Sequence, residues 1–295
     1  MKVSQQSLFN KVGKLLAPPL SFIVANSVTA NFTNLLEAYL SILLGKGAGT
    51  GWAIDAEIAA VKFAISRSNA ILFDVGANRG EWSSLCQKLY PQASFFLFEP
   101  QPACQKIILA LNIPNSILIP KAVSSTTTQV ELYSDSSTSV IASLHQRQDS
   151  DFKNKKFTSF AVDTITIDEI VAEYNLEYID YLKIDIEGHE FEALKGAGKS
   201  LASGMIKALA FEFGSGNVNS RTFFRDFWDL LNPLGYKIYR ILPSSKMMPI
   251  KEYYEDCEYF RGVSNYLAVL QTSCIEEGRR EKEEGRSSKS NGFSD

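Results

Sequence analysis

From residue 70 onward, short apolar runs alternate with amphipathic stretches of helical length, and this rhythm restricts the fold more than any other feature of the chain. AILFDVG (70–76), SFFLFE (94–99) and SILIPKAV (116–123) read as strands, with helices GEWSSLCQKLY (80–90) and PACQKIILALN (102–112) between them. The first helix puts Trp82, Leu85 and Leu89 on one face, and Pro102 suits the first turn of the second. The alternation resumes at TIDEIVAEYNL (166–176), whose Thr166 and Glu169 stand at capping-box spacing. YIDYLKIDIEG (178–188) and IKALAFEFG (206–214) are strands, each followed by a helix, HEFEALKGAG (189–198) and TFFRDFWDLLNPLG (222–235). YKIYRIL (236–242) and SNYLAVL (264–270) form a closing pair. Such repetition buries a mostly parallel sheet between two helical layers, an α/β fold. The Ser- and Thr-rich stretch 124–160 breaks the rhythm and is expected to lay loops and short strands over the ligand edge of the sheet.

Outside this core, residues 1–68 read as a mainly helical N-terminal extension, with NLLEAYLSILLG (34–45) its clearest amphipathic piece. GKGAGTG (45–51) lacks the GK[ST] ending of a phosphate-binding loop and reads as a turn or linker. Lys2, Lys11 and Lys14 precede an apolar run at 15–25, and VTA at 28–30 has the look of a leader cleavage site. Pro18 and Pro19 interrupt that run, so neither a secretory leader nor a spanning helix is expected. The extension is expected to pack on the domain or on a second copy, which would make a homo-oligomer. Residues 273–295 are charged and almost free of apolar side chains, and are expected to be disordered. A net charge of −3 gives no field that would make nucleic acid the default partner. Four scattered cysteines form no CxxC and no zinc set, which fits a reducing, cytoplasmic setting.

The chemistry concentrates at three strand ends. In DVGANRG (74–80), Gly76 and Gly80 permit a tight turn and close approach to a ligand. Asp74 would repel the pyrophosphate that a dinucleotide-binding turn cradles, and would favour a sulfonium-bearing nucleoside such as S-adenosylmethionine. Glu99 closes the second strand and is placed to accept both hydrogen bonds of a ribose diol. KIDIEGHE (183–190) ends the fourth strand, where a reversal of strand order would open the crevice. Asp185 and Glu187 share a strand face by the two-residue period if the strand extends so far. With His189 they suit removal of a proton from a hydroxyl, or the carboxylates hold a divalent cation. Alternatively, Glu187 and Glu190 are first-turn acids favoured by the helix dipole, and His189 is merely exposed. A nicotinamide-dependent oxidoreductase and a non-catalytic nucleoside-binding module remain the other readings. The loops at 124–160 and 243–263 are expected to shape the acceptor pocket. There Tyr253, Tyr254, Tyr259 and Phe260 suit stacking on sugar faces, or packing under the closing strands.

FDVGANRGEWS, FLFEP and above all TIDEI…IDYLKIDIEGHEFEALKGA resemble the FkbM-type methyltransferases over roughly residues 70–215. The resemblance implies a Rossmann-like seven-stranded domain spanning 69–272 and S-adenosylmethionine as methyl donor. It also implies methylation of a hydroxyl on a sugar, glycan or secondary metabolite. By motif match Asp74, Gly76, Ala77, Asn78 and Gly80 would line the methionine end, Glu99 with Pro100 the ribose, and Val123 the adenine. Asp185 and Glu187 would face the acceptor. His189 stands where the family's pattern often has a small residue, so the resemblance implies no base role for it.

Overall fold

A computed structural model describes residues 3–24, 27–49, 54–146 and 155–271. The expected disordered tail at 273–295 lies outside the described residues, as do Thr50 and Gly51 of the linker and residues 147–154 of the Ser/Thr-rich stretch. The chain divides into two compact units, residues 1–44 and 45–295. The first holds helices α1 (Val3–Ile23) and α2 (Ser27–Leu43). Pro18 and Pro19 lie inside α1 instead of ending it. Among the described residues no helix is long and apolar enough to cross a membrane.

In the second unit the elements follow in order. They begin with α3 (Ile54–Ala64), β1 (Ile71–Val75), α4 (Glu81–Leu89), β2 (Ser94–Phe98), α5 (Pro102–Leu111) and β3 (Ser116–Ile119). Next come β4 (Ala122–Val123), β5 (Gln129–Ser134), β6 (Thr158–Ile165), α6 (Ile167–Glu173), β7 (Tyr181–Ile184) and α7 (Glu190–Lys195). The chain then forms α8 (Gly198–Ala202), β8 (Ala208–Gly214), α9 (Ser215–Ser220), α10 (Phe224–Leu231), β9 (Tyr236–Ile241), β10 (Met247–Ile250) and β11 (Val263–Leu270). Residues 45–68, grouped by sequence with the extension, belong here. Ala60 and Val61 of α3 are fully buried in the cluster that holds Leu72, Trp82 and Leu267.

The main sheet has the order β10-β9-β11-β8-β7-β1-β2-β3. Strands β3, β2, β1, β7 and β8 run parallel, and β11 is antiparallel to both β8 and β9. The expected closing pair therefore forms, but the sheet has eight strands rather than seven. The extra one is β10, in the 243–263 connection read from sequence as a loop. A turn with Ser245 at φ 61° lets that segment fold back onto β9. The third strand is shorter than expected, because Pro120 has no N–H to continue the ladder with β2. Residues beyond it form β4, which joins a separate sheet in the order β4-β6-β5.

Burial alternates with the two-residue strand period. Phe73, Val75, Phe96, Phe98, Leu182 and Phe211 face one helical layer, with residues of α6, α7 and α10. Leu72, Phe95, Leu97 and Tyr181 face the other, with α3, α4 and α5. The capping box forms: Glu169 N–H donates to Thr166 Oγ1 at 3.1 Å, and Thr166 N–H to Glu169 Oε2 at 3.0 Å. Because β1 lies between β2 and β7, the chain moves outward from β1 and later returns on its other side, which opens a crevice at the carboxyl ends of β1 and β7.

Phe211 anchors the first layer. Its ring stacks on Phe227 with centroids 4.5 Å apart and on Tyr266 at 5.5 Å. Phe211→Ala is expected to lower the unfolding free energy by roughly 3–5 kcal/mol, read from urea titrations.

Candidate active site

The crevice is a cleft of about 750 Å³. Its base comes from the turn after β1, where Gly76 and Ala77 N–H groups both donate to Phe98 O at 3.0 Å. Gly76 has φ 85°, and a Cβ there would stand 1.9 Å from Asp185 O, so only glycine lets the ends of β1 and β7 approach so closely. Asn78, also left-handed at φ 47°, donates its N–H to Glu99 Oε2 at 2.8 Å. Glu99 Oε1 accepts from Gln101 N–H at 2.7 Å. The Glu99 carboxyl is thus aimed by two backbone groups, each taking one lone pair of an oxygen. Burial raises its pKa to about 7 against those hydrogen bonds.

Gly76, Ala77, Asn78, Glu99, Pro100, Val123, Asp185, Glu187 and His189 all line the cleft. Asp74 and Gly80, expected among them, stand behind its wall. Gly80 begins α4 and packs toward Ile108 and Leu111. Asp74 is buried; its Oδ2 accepts from Ser83 Oγ at 2.7 Å, and Oδ1 lies 3.6 Å from Lys183 Nζ. A molecule in the cleft would thus meet Lys183 rather than Asp74 itself. Burial raises its pKa against the opposing effect of that ammonium. Lys183 is the register partner of Asp74 on β7 and also donates to Asp185 Oδ2 at 3.1 Å. Burial would lower the Lys183 pKa, but Asp185, Asp74 and Glu57 hold it well above the ordinary lysine range. Lys183 and Glu57 were not singled out in the sequence. Glu57 projects from α3 into the cleft, where burial raises its pKa to about 7.

Asp185 and Glu187 do meet at the rim, though not by strand period. β7 stops at Ile184, and Glu187 is left-handed at φ 56°. Glu190 Oε1 holds this turn by accepting from Ile186 and Gly188 N–H at 3.1 and 3.0 Å. His189 is not exposed. Its Nε2 contacts Ser124 Oγ at 3.0 Å, and its Nδ1 contacts His145 Nε2 at 3.0 Å. Burial and then His145 lower its pKa to about 4.

His145 belongs to a strap, residues 135–146, that covers the cleft. Ser139 O accepts from Asn78 Nδ2 at 2.8 Å and Gln101 Nε2 at 2.9 Å, while Ser139 N–H donates to Gln101 Oε1 at 3.0 Å. Further along, Ser143 Oγ donates to Glu187 O at 2.8 Å. Ser139, Val140, Ala142, Ser143 and Leu144 thereby become cleft wall. The aromatic side chains Tyr253, Tyr254, Tyr259 and Phe260 are absent from that wall. Phe260 packs on Phe213 at 5.5 Å and Tyr253 Oη donates to Glu258 Oε1 at 2.8 Å, in line with the packing alternative.

The family model of the methyltransferase FkbM domain matches residues 74–238, more than half of the chain. The chain belongs to the FkbM methyltransferase family. Two curated relatives are 27% identical: methyltransferase sdnD of Sordaria araneosa, and the hexuronic acid methyltransferase AglP of Haloferax volcanii. The matches cover 44% and 45% of this chain, and 61% and 52% of those proteins, so the chain spans little more than half the length of each relative. A solved SAM-dependent O-methyltransferase from Thermotoga maritima is 9% identical with a TM-score of 0.39, covering 74% of this chain and 65% of that one.

The histidine pair gives an acid-sensitive tether. Between the ordinary histidine range near 6.5 and about 4, the unfolded chain takes up a proton that native His189 refuses, so its contribution to stability falls as pH falls. Glu57, Glu99 and Glu190, raised to about 7, act oppositely: their contribution falls as pH rises from 4.5 through 7. The difference in melting temperature between wild type and His189→Gln should therefore shift against wild type as pH drops from about 6.5 to about 4. A difference independent of pH would contradict the tether.

Proposed function

We propose that this protein transfers a methyl group from S-adenosylmethionine to a hydroxyl of a sugar, glycan or secondary metabolite. The observation that carries the reading is the pair of carboxylates on opposite walls of one switch-point cleft, Glu99 on the β2 side and Asp185 on the β7 side. The Glu99 carboxyl keeps lone pairs for a ribose diol, with Val123 and Pro100 offering apolar surface for the nucleoside. The donor supplies an electrophilic methyl on a sulfonium, and an acid-lined cleft with few cations suits that charge. A dinucleotide fits less well: the Asn78 N–H that a phosphate would need is already bonded to Glu99.

The acceptor side follows from exposure. The Asp185 side chain is 33% exposed, and Lys183 fixes its orientation through Oδ2. Asp185 takes the proton of the acceptor hydroxyl as that oxygen bonds to the methyl carbon and the C–S bond breaks. His189, engaged at both ring nitrogens, positions the strap instead of serving as base. The acids of the rim disfavour phosphodiester backbones, so a small-molecule or glycan acceptor fits better than nucleic acid. AglP acts on a hexuronic acid, which keeps acidic sugars within the class to be assayed.

Glu99→Gln is expected to weaken S-adenosylhomocysteine binding by roughly 10–100-fold in calorimetry, the cost of a hydrogen bond to a charged group. Normal affinity would remove Glu99 from the donor site. NADH should give no heat.

Asp185→Asn is expected to keep donor affinity and to lower methyl transfer by roughly 10²–10⁴-fold. Radiolabelled methyl donor with fractionated glycans and metabolites is the assay. Unchanged turnover removes Asp185 from the reaction, and donor binding without any transfer marks a non-catalytic module.

A further inference from the structure

Glu57 reaches the cleft from α3, outside the residues 74–238 matched by the family model. The helix has no need of it: Asp55, exposed in the same first turn, already answers the helix dipole. Glu57 stands between Ala56 and Ile58, which are buried in the layer that holds Leu72 and Trp82. That position is costly for a carboxylate. Burial raises its pKa to about 7, and Asp185 and Asp74 add to the rise while Lys183 opposes it.

The chain itself does not relieve that cost. Lys183 Nζ lies 3.1 Å from Asp185 Oδ2 and 3.6 Å from Asp74 Oδ1, and forms no ion pair with Glu57 among the described residues. Asn265 on β11 fixes the Glu57 carboxyl, with Nδ2 donating to Oε1 at 3.3 Å. Oε2 has no hydrogen bond among the described residues. Three carboxylates thus surround one ammonium, in a cleft wall open to a further cation.

We propose that Glu57 binds the α-ammonium of the methyl donor. The inference rests on the methyl-transfer reading and fixes which way the donor lies. In the order β8-β7-β1-β2-β3, Glu99 stands on the β2 side of the Gly76 turn and Lys183 on the β7 side. Lys183 shares its strand face with Tyr181, the face on which α3 packs, so Glu57 belongs to the β7 side as well. S-adenosylmethionine has a nucleoside at one end, an amino acid at the other and the sulfonium between them. With the ribose at Glu99, the amino acid extends past Gly76 toward Lys183 and Glu57. Asp74, expected from sequence at the methionine end, is closed off by Ser83 and Lys183. Asp55 and Glu81 also line the cleft, but both are exposed, where water weakens a charge pair. Asp185 is already held by Lys183. Glu57 is therefore a binding residue and takes no part in bond making.

The test is calorimetry of the full chain with two ligands, S-adenosylhomocysteine and its analogue with hydrogen in place of the amino group. Wild type should bind the amine-bearing ligand roughly 10–100-fold more tightly, as expected for a hydrogen bond between charged groups. Glu57→Gln, which keeps an acceptor for Asn265, should erase that preference by weakening S-adenosylhomocysteine alone. Glu99→Gln, at the nucleoside end, should weaken both ligands alike. Melting scans keep folding separate: Glu57→Gln should melt no lower than wild type, since it removes a buried acid. If it does melt lower, Glu57→Asp, which keeps the charge and withdraws it by one methylene, must show the same selective loss. A preference that survives both Glu57 variants, or equal loss of the two ligands in them, overturns the ammonium subsite. If wild type binds the two ligands equally, the subsite fails and the methyl-donor reading stands; if it binds neither, that reading fails as well.

Discussion

Lys183 is the charge on which the site depends. Its ammonium lies between Asp74 at the end of β1 and Asp185 after β7, and the register of those strands puts it there. Desolvating an ammonium costs several kcal/mol, and a buried carboxylate left alone costs as much. The three groups are tolerable only together. One consequence is mechanical: the ion set ties the end of β1 to the end of β7. The other is electrostatic: Asp74 is neutralised within the wall, while Asp185 remains open to the cleft.

Around that anchor, backbone geometry divides the labour. Left-handed Gly76 lets β1 and β7 close to contact, and Asn78 turns the chain so that its amide meets Glu99. Glu187 repeats the device on the other wall. The strap then covers part of the cleft by local hydrogen bonds at both ends, to Asn78 and Gln101 beside β1 and β2, and to Glu187 O and His189 after β7. Any movement that releases Ser139 therefore also loosens Asn78, the residue that aims Glu99.

The sequence made the frame legible because strand ends and glycine turns are local signals. Thr166 with Glu169, Gly76, Glu99 and Asp185 could be placed from spacing alone. What stayed hidden was long-range. Glu57 lies far from the strand ends in the chain, within a stretch that reads as an appendage, and only packing of α3 on the sheet brings it to the cleft. His145 reaches His189 only because the strap folds back across the sheet edge. The signal that did exist was the presence of Lys183 and Glu212 inside otherwise apolar strands, YLKID and AFEFG. A charge inside a buried strand needs a partner: Lys183 finds Asp74 and Asp185, and the Glu212 carboxyl lies beside those of Asp185 and Glu187. Asp74 misled for a related reason. The sequence shows a carboxylate at a strand end but not the ammonium opposite it.

The charge balance also bears on which group can take the proton. Glu57, Glu99 and Glu190 have pKa values raised by burial to about 7, so near neutrality each holds a proton for a substantial fraction of the time. His189 has the opposite fault: lowered to about 4, it is neutral but a weak base, and both nitrogens are engaged. Asp185 differs from all of them in being a third exposed, oriented by an ammonium and open to the cleft. On the methyl-transfer reading proposed above, proton removal would therefore fall to a rim carboxylate rather than to His189 or the buried glutamates, a division set by burial and not by intrinsic basicity.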